Sequence, residues 1–199
     1  MNRITFQVGT FEVNCSIISG SDKAIVVDPG ADATRIRAEL KKQGLGLTAV
    51  LLTHAHFDHI SAIPELQRAY PDLPVFISDA DAKIVSHPFN QFPPEYTTVP
   101  KPADLRDPAD ADVPGLEVLR TPGHTPGGVC YYFPKDGLLL SGDTLFAGSV
   151  GRTDFPGGSM ATLVESLKKL TALPDDTLVI PGHGPHTTIA AEKSSNPFL

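Results

Sequence analysis

The pattern of apolar and polar positions resolves the chain into short strands from its start. Residues 4–8 and 13–19 are β-like. Residues 24–28, Ala-Ile-Val-Val-Asp, form a β-branched run that ends at Asp28-Pro29-Gly30, a turn signal. The spacing then becomes helical over residues 33–43, where Ile36 and Leu40 share a face and Gly44 marks the stop. Residues 48–53 form a short, continuously apolar strand. Residues 54–59 are expected as a loop and 60–70 as a helix, broken by Pro71-Asp72-Leu73-Pro74. A strand over 75–78 and a short helix over 80–86 follow.

From residue 87 to 114 the chain is Pro-rich and lacks periodicity. It reads as an ordered surface excursion, because strands resume directly after it, at 116–120, 128–133 and 137–141. A helix over 162–170, a strand over 177–180 and a helix over 188–193 complete the pattern. No solenoid-length repeat is present. The β-rich, helix, β-rich, helix order suits two packed sheets with helices outside better than a simple doubly wound sheet.

The length of 199 residues fits one domain with a full core. The charge of −7, from 16 basic and 23 acidic residues with no basic run, argues against a nucleic-acid or anionic-membrane partner. No segment resembles a signal peptide or approaches the length of a membrane span. A cytoplasmic protein is therefore expected, with Cys15 and Cys130 as buried free thiols.

Candidate chemistry enters at Thr53-His54-Ala55-His56-Phe57-Asp58-His59, four potential ligands directly after an apolar strand. Imidazole and carboxylate together suit zinc, iron or manganese. Three further segments repeat the design of strand, shaped loop and ligand. They are Gly123-His124-Thr125, Gly142-Asp143-Thr144 and Gly182-His183-Gly184. Singly, each histidine would be ordinary; jointly and in this order they need a common cause. His87 and His186 fall outside the set and are expected to be exposed. Asp28 is expected to shape or support the ligand loop.

In this order the set resembles the metallo-β-lactamase superfamily, over essentially the whole chain. The resemblance implies a mixed α/β (α+β) fold, the four-layer αβ/βα sandwich, formed by residues 1–199 as a single domain with the metals at one edge. It implies two divalent ions per chain, zinc foremost with iron or manganese as alternatives. His54, His56 and His124 would hold one ion, Asp58, His59 and His183 the other, and Asp143 would bridge them. Asp58 and Asp143 are the carboxylates expected to take part in catalysis. Five neutral imidazoles, two carboxylates, two divalent ions and a bridging hydroxide leave a net charge of about +1, which suits hydrolysis of an anionic substrate.

The run Thr144–Gly158, with Gly151-Arg152-Thr153-Asp154-Phe155 within it, resembles the single-domain, glyoxalase II-like (hydroxyacylglutathione hydrolase-like) bacterial hydrolases, and Asn196-Pro197-Phe198-Leu199 resembles their usual ending. The resemblance implies a thioesterase acting on hydroxyacylglutathione-like thioesters, without a C-terminal helical domain for glutathione. Arg152 is the candidate substrate contact; an ion pair with Asp154 is the competing role. The Gly-Arg-Thr-Asp-Phe run is also similar to the persulfide dioxygenases, which implies one Fe(II) held by His54 or His56 with His124 and Asp143. Another hydrolase of the fold and a non-catalytic metal-stabilised module are the remaining alternatives. The expected partner is a small-molecule thioester, with no nucleic acid and no membrane, and the chain is expected as a monomer or small homo-oligomer.

Overall fold

Alternation at the start of the chain produces an antiparallel hairpin of β1 (Asn2–Val8) and β2 (Val13–Gly20), with Asn2 opposite Ser19 and Val8 opposite Val13. The computed structural model of the chain describes residues 1–90 and 99–199. β3 (Lys23–Val27) pairs antiparallel with β2. Helix α1 (Ala33–Lys42) then returns the chain, so that β4 (Gly46–Leu51) lies parallel to β3. Helices α2 (Phe57–Ile60) and α3 (Ile63–Ala69) lead to β5 (Val75–Phe76), parallel to β4. After α4 (Asp79–Ala82), β6 (Leu105–Arg106) pairs parallel with β5 and completes a six-stranded sheet in the order β1-β2-β3-β4-β5-β6.

These elements belong to a compact unit spanning Met1–Ala111. Ile36 and Leu40 of α1 and Ile63 and Leu66 of α3 share one core with Val26, Val50 and Val75 of the parallel strands. Each such side chain, once buried, contributes about 2 kcal/mol by transfer from water. The helix expected over residues 60–70 is divided. α2 stops at Ile60 and α3 begins at Ile63 with Pro64 in its first turn, because proline has no N–H to continue a preceding helix. The expected excursion over 87–114 falls partly on residues 91–98, which lie outside the described residues. Its later part returns to the sheet as β6, a two-residue strand too short to announce itself in the sequence.

The second unit spans Asp112–Leu199. β7 (Glu117–Arg120), β8 (Val129–Phe133) and β9 (Leu138–Gly142) form an antiparallel meander. β10 (Leu145–Phe146) and β11 (Ser149–Val150) make a small separate hairpin. α5 (Met160–Thr171) crosses over, and β12 (Leu178–Pro181) then lies parallel to β9. β13 (Thr187–Thr188) closes the sheet order β13-β12-β9-β8-β7, and α6 (Ile189–Ser195) follows. Leu163, Leu167 and Leu170 of α5 share a core with Cys130, Leu139 and Val179. Buried Glu192 of α6 accepts from Gly148 N–H at 2.8 Å and from the Thr187 hydroxyl at 2.6 Å, while Asn196 Nδ2 donates to Ser149 O at 3.0 Å. Those bonds fasten the β10–β11 hairpin to the last helix. Among the described residues, no helix is long and apolar enough to cross a membrane.

Two glycines allow close backbone approach. A Cβ at Gly30 would fall on the Asp58 carbonyl oxygen, and one at Gly151 on the Asp143 carbonyl oxygen. Backbone cannot yield as a flexible side chain does. Gly30→Ala is therefore expected to destabilise the protein by about 3 kcal/mol. Gly44→Ala, at φ 67° with open space around it, should cost only the left-handed backbone penalty of about 1 kcal/mol. Thermal unfolding of both metal-free variants checks the pair; equal losses would contradict the packing argument.

Candidate metal centre

Strand direction places the candidate ligands. β3, β4 and β5 run parallel, and ligand-bearing loops in open sheets gather at the carboxyl ends of such strands. Asp28 follows β3 directly, and Thr53–His59 follows β4. In the second sheet, β7 and β9 are each antiparallel to β8, and β12 is parallel to β9, so β7, β9 and β12 run the same way. Their carboxyl ends carry His124, Asp143 and His183. The last two are neighbours by register, since Pro181 pairs with Gly142 and Gly182 N–H donates to Gly142 O at 2.8 Å.

In the first unit Asp28 organises the loop. It is 3% exposed and sits at φ 50°. Its Oδ1 accepts Thr53 N–H at 2.8 Å and its Oδ2 accepts the Thr53 hydroxyl at 2.7 Å. With that proton committed, Thr53 Oγ1 faces His54 Nδ1 at 3.0 Å as an acceptor, which places a proton on Nδ1 and leaves the Nε2 lone pair for a ligand. His59 Nδ1 lies 3.1 Å from Asp28 Oδ2, a close contact without hydrogen-bond alignment, while its Nε2 is 3.9 Å from Asp58 Oδ2. A donor nitrogen of His54 lies within 4.8 Å of one on His56 and within 4.8 Å of one on His59. The loop expected over 54–59 is helical in its second half, with His56 at the N-cap position of α2 without a side-chain cap bond and Asp58 in the first turn.

The second unit repeats the device. His124 Nδ1 is 2.7 Å from the main-chain oxygen of Arg152, a pure acceptor, so Nδ1 carries the proton. His124 Nε2 then lies 3.5 Å from Asp143 Oδ2, and His183 Nε2 lies 3.7 Å from the same oxygen. For His124, whose Nδ1 carries the proton, an Nε2 lone pair this close to a carboxylate oxygen is unfavourable unless a cation lies between them. The donor set thus fits metal ions.

Arg152 serves this geometry through its backbone. Its guanidinium forms a bidentate pair with Asp154, at 2.7 and 2.6 Å, and lies 4.2 Å from the centre of the Phe155 ring. The sequence allows a substrate contact or this pair, and the structure places the side chain in the pair. His87 and His186 are exposed, and Cys15 and Cys130 are buried free thiols, as expected. Burial, and secondarily the charge of Asp28, pushes the Cys15 thiol far above its ordinary range, so it is no nucleophile. Sequence reasoning missed the Arg152 carbonyl, Asp81 and Asn90, all of which bind backbone or ring nitrogen by geometry that no motif records.

Comparisons with known proteins identify the family. Residues 8–183 match the Metallo-beta-lactamase superfamily, and the chain belongs to that family and has its fold. "Probable metallo-hydrolase YqgX" of Bacillus subtilis is 39% identical over 203 residues, covering 96% of this chain and 94% of that protein. "Hydroxyacylglutathione hydrolase GloC" of Haemophilus influenzae is 36% identical over 217 residues, covering 100% and 98%. Among solved structures, BLEG-1 B3 metallo-beta-lactamase superposes with a TM-score of 0.90 at 35% identity, covering 100% of this chain and 99% of that one. TTHA1623 in a di-iron-bound form gives a TM-score of 0.90 at 38% identity, covering 98% and 100%. The protein is thus a metallo-hydrolase of the superfamily, with a His/Asp cluster suited to metal.

The Arg152–Asp154 pair has a pH signature. The hydrogen bond from Arg152 holds the Asp154 carboxyl well below its ordinary 3.8, at about 2. Because the folded value is the lower one, the pair's contribution is complete above pH 3.8 and is lost as pH falls toward 2. Both groups are exposed, so the contribution is small. Carboxyl NMR titration should place the Asp154 midpoint near 2 in the native chain and return it toward 3.8 in Arg152→Ala. An unchanged midpoint would contradict the pair.

Proposed function

We propose that the chain is a dinuclear metal-dependent thioesterase acting on hydroxyacylglutathione-like substrates. His54, His56 and His124 are proposed for one ion, Asp58, His59 and His183 for the other, and Asp143 for both. The carrying observation is that two histidine Nε2 atoms, of His124 and His183, lie 3.5 and 3.7 Å from the same Asp143 Oδ2, distances suited to a shared carboxylate. The anchored Nδ1 atoms of His54 and His124 support it, because they leave Nε2 as the donor. Zinc is the proposed metal, and iron is the alternative, given the di-iron-bound neighbour. A cytoplasmic monomer or small homo-oligomer completes the proposal.

When bound, such ions supply Lewis acidity, bringing water's pKa toward about 7 and polarising a carbonyl. The protein's own groups set the conditions for this. Neutral imidazoles and only two carboxylates leave the loaded site cationic, which favours an anionic substrate and a developing oxyanion. A thiolate leaves with little protonation, so thioester cleavage needs no separate general acid. Hydroxyacylglutathione as the acyl donor is drawn from the activity that the Haemophilus influenzae relative is named for. Arg152 remains the proposed substrate contact, reached by exchange of its guanidinium from Asp154 to a substrate carboxylate.

The test is turnover of S-D-lactoylglutathione against a truncated N-acetylcysteamine thioester, with oxygen uptake on glutathione persulfide alongside. Both thioesters should be hydrolysed, with a preference for the glutathione form below about 10³-fold, or roughly 4 kcal/mol. Arg152→Ala should raise KM for the anionic thioester and leave metal content unchanged. Oxygen uptake without thioester hydrolysis would replace this reading with a mononuclear Fe(II) dioxygenase. Inactivity on all three would contradict this reading and leave another hydrolase of the fold or a non-catalytic metal-stabilised module.

A further inference from the structure

Three successive peptide groups of the loop carrying His54 and His56 are held by two side chains from outside it. Ala55 N–H donates to Asp81 Oδ2 at 3.0 Å. Asn90 Nδ2 donates to Ala55 O at 2.6 Å, and Phe57 N–H donates to Asn90 Oδ1 at 2.9 Å. These are the peptide units joining residues 54 to 55, 55 to 56 and 56 to 57. Asn90 Nδ2 also donates to Val85 O at 3.1 Å. Its amide orientation is therefore determined: a flipped group would set oxygen against two carbonyls and nitrogen against an N–H. Asp81 is 0% exposed and Asn90 is 3% exposed. Asp81 is itself fixed by Ser78, whose side chain accepts from the Asp81 N–H at the start of α4.

Two buried polar side chains are costly unless they are hydrogen-bonded. Here the bonds converge on one short loop. We propose that Asn90 and Asp81 are positioning residues for His54 and His56, a role that rests on the metal reading above. A peptide plane leaves only two soft dihedrals per residue, so fixing these three consecutive planes settles the backbone on both sides of His56 and on the C-terminal side of His54. The loop is ordered before an ion arrives, and metal binding does not have to supply that ordering. The turn Pro88–Asn90, at the start of the Pro-rich stretch, thereby supports the ligand loop. Neither residue is assigned to an ion.

The test uses Co(II) as the probe on the metal-free full chain, read by chelator competition and by the visible cobalt spectrum. Asn90→Ala and Asp81→Ala should each weaken Co(II) binding about 10–100-fold and alter the spectrum, as loss of an outer support does. Asp81→Asn keeps an oxygen for the Ala55 amide and should lie closer to the native chain than Asp81→Ala. Leu40→Ala, in the α1 core, should lower thermal stability without changing Co(II) affinity, which separates positioning from general destabilisation. The proposal is overturned if Asn90→Ala binds within about threefold of the native chain, or if Leu40→Ala weakens binding as much. If Asn90→Ala fails to fold, the Asp81→Ala and Asp81→Asn pair decides by the same criterion. His56→Ala sets the scale of a lost ligand; native binding by that variant would overturn the metal reading itself.

Discussion

An imidazole offers one nitrogen to a cation only when the other carries the proton, and the candidate centre depends on that constraint being met in advance. His124 meets it through the Arg152 carbonyl, and His54 through Thr53, whose own proton is taken by Asp28. The anchor is in each case a group with no other protonation choice. Free rotation or tautomer exchange at either ring would turn a lone pair away from the metal and replace it with an N–H. Much of the surrounding structure serves this end. Asp28 takes a left-handed backbone conformation, φ 50°, and from there reaches Thr53 twice. Gly30 and Gly151 lack the Cβ that would displace the carbonyls of Asp58 and Asp143.

Strand polarity is the larger device. Parallel pairing of β3 with β4, and of β9 with β12, is more demanding than a hairpin because each pair needs a helical crossover. The return is that both strands of a pair end on the same side. Asp28 and the His54–His59 loop come together that way, as do Asp143 and His183. The helices α1 and α5 that make the crossovers bury Ile36, Leu40, Leu163 and Leu167, so the core that stabilises each unit also sets the strand direction that positions its ligands.

The ligand loops were legible in the sequence because each is an apolar strand followed by a Gly- or Pro-shaped turn with a donor, a pattern written in consecutive residues. The strands over 13–19 and 128–133 and the helix over 33–43 were legible for the same local reason, and the structure reproduces them to within a residue or so at their ends. Less was legible where the signal is tertiary. β6, β10, β11 and β13 are two-residue strands that exist through pairing alone. Asn90 and Asp81 carry no motif, since their partners are main-chain atoms 35 and 26 residues away at Ala55. The pairing of Arg152 with Asp154 was one of two readings the spacing allowed, the other being a substrate contact, and it took side-chain geometry to show the pair.

We propose that one carboxylate, Asp143, serves both halves of a paired-ion centre. Metal content per chain after exhaustive dialysis, compared between the native protein, Asp143→Ala and His183→Ala, tests it most directly. Two ions are expected in the native chain, about one in His183→Ala, and loss of both in Asp143→Ala. A native chain that saturates with a single ion, or an Asp143→Ala variant that retains two, would contradict it.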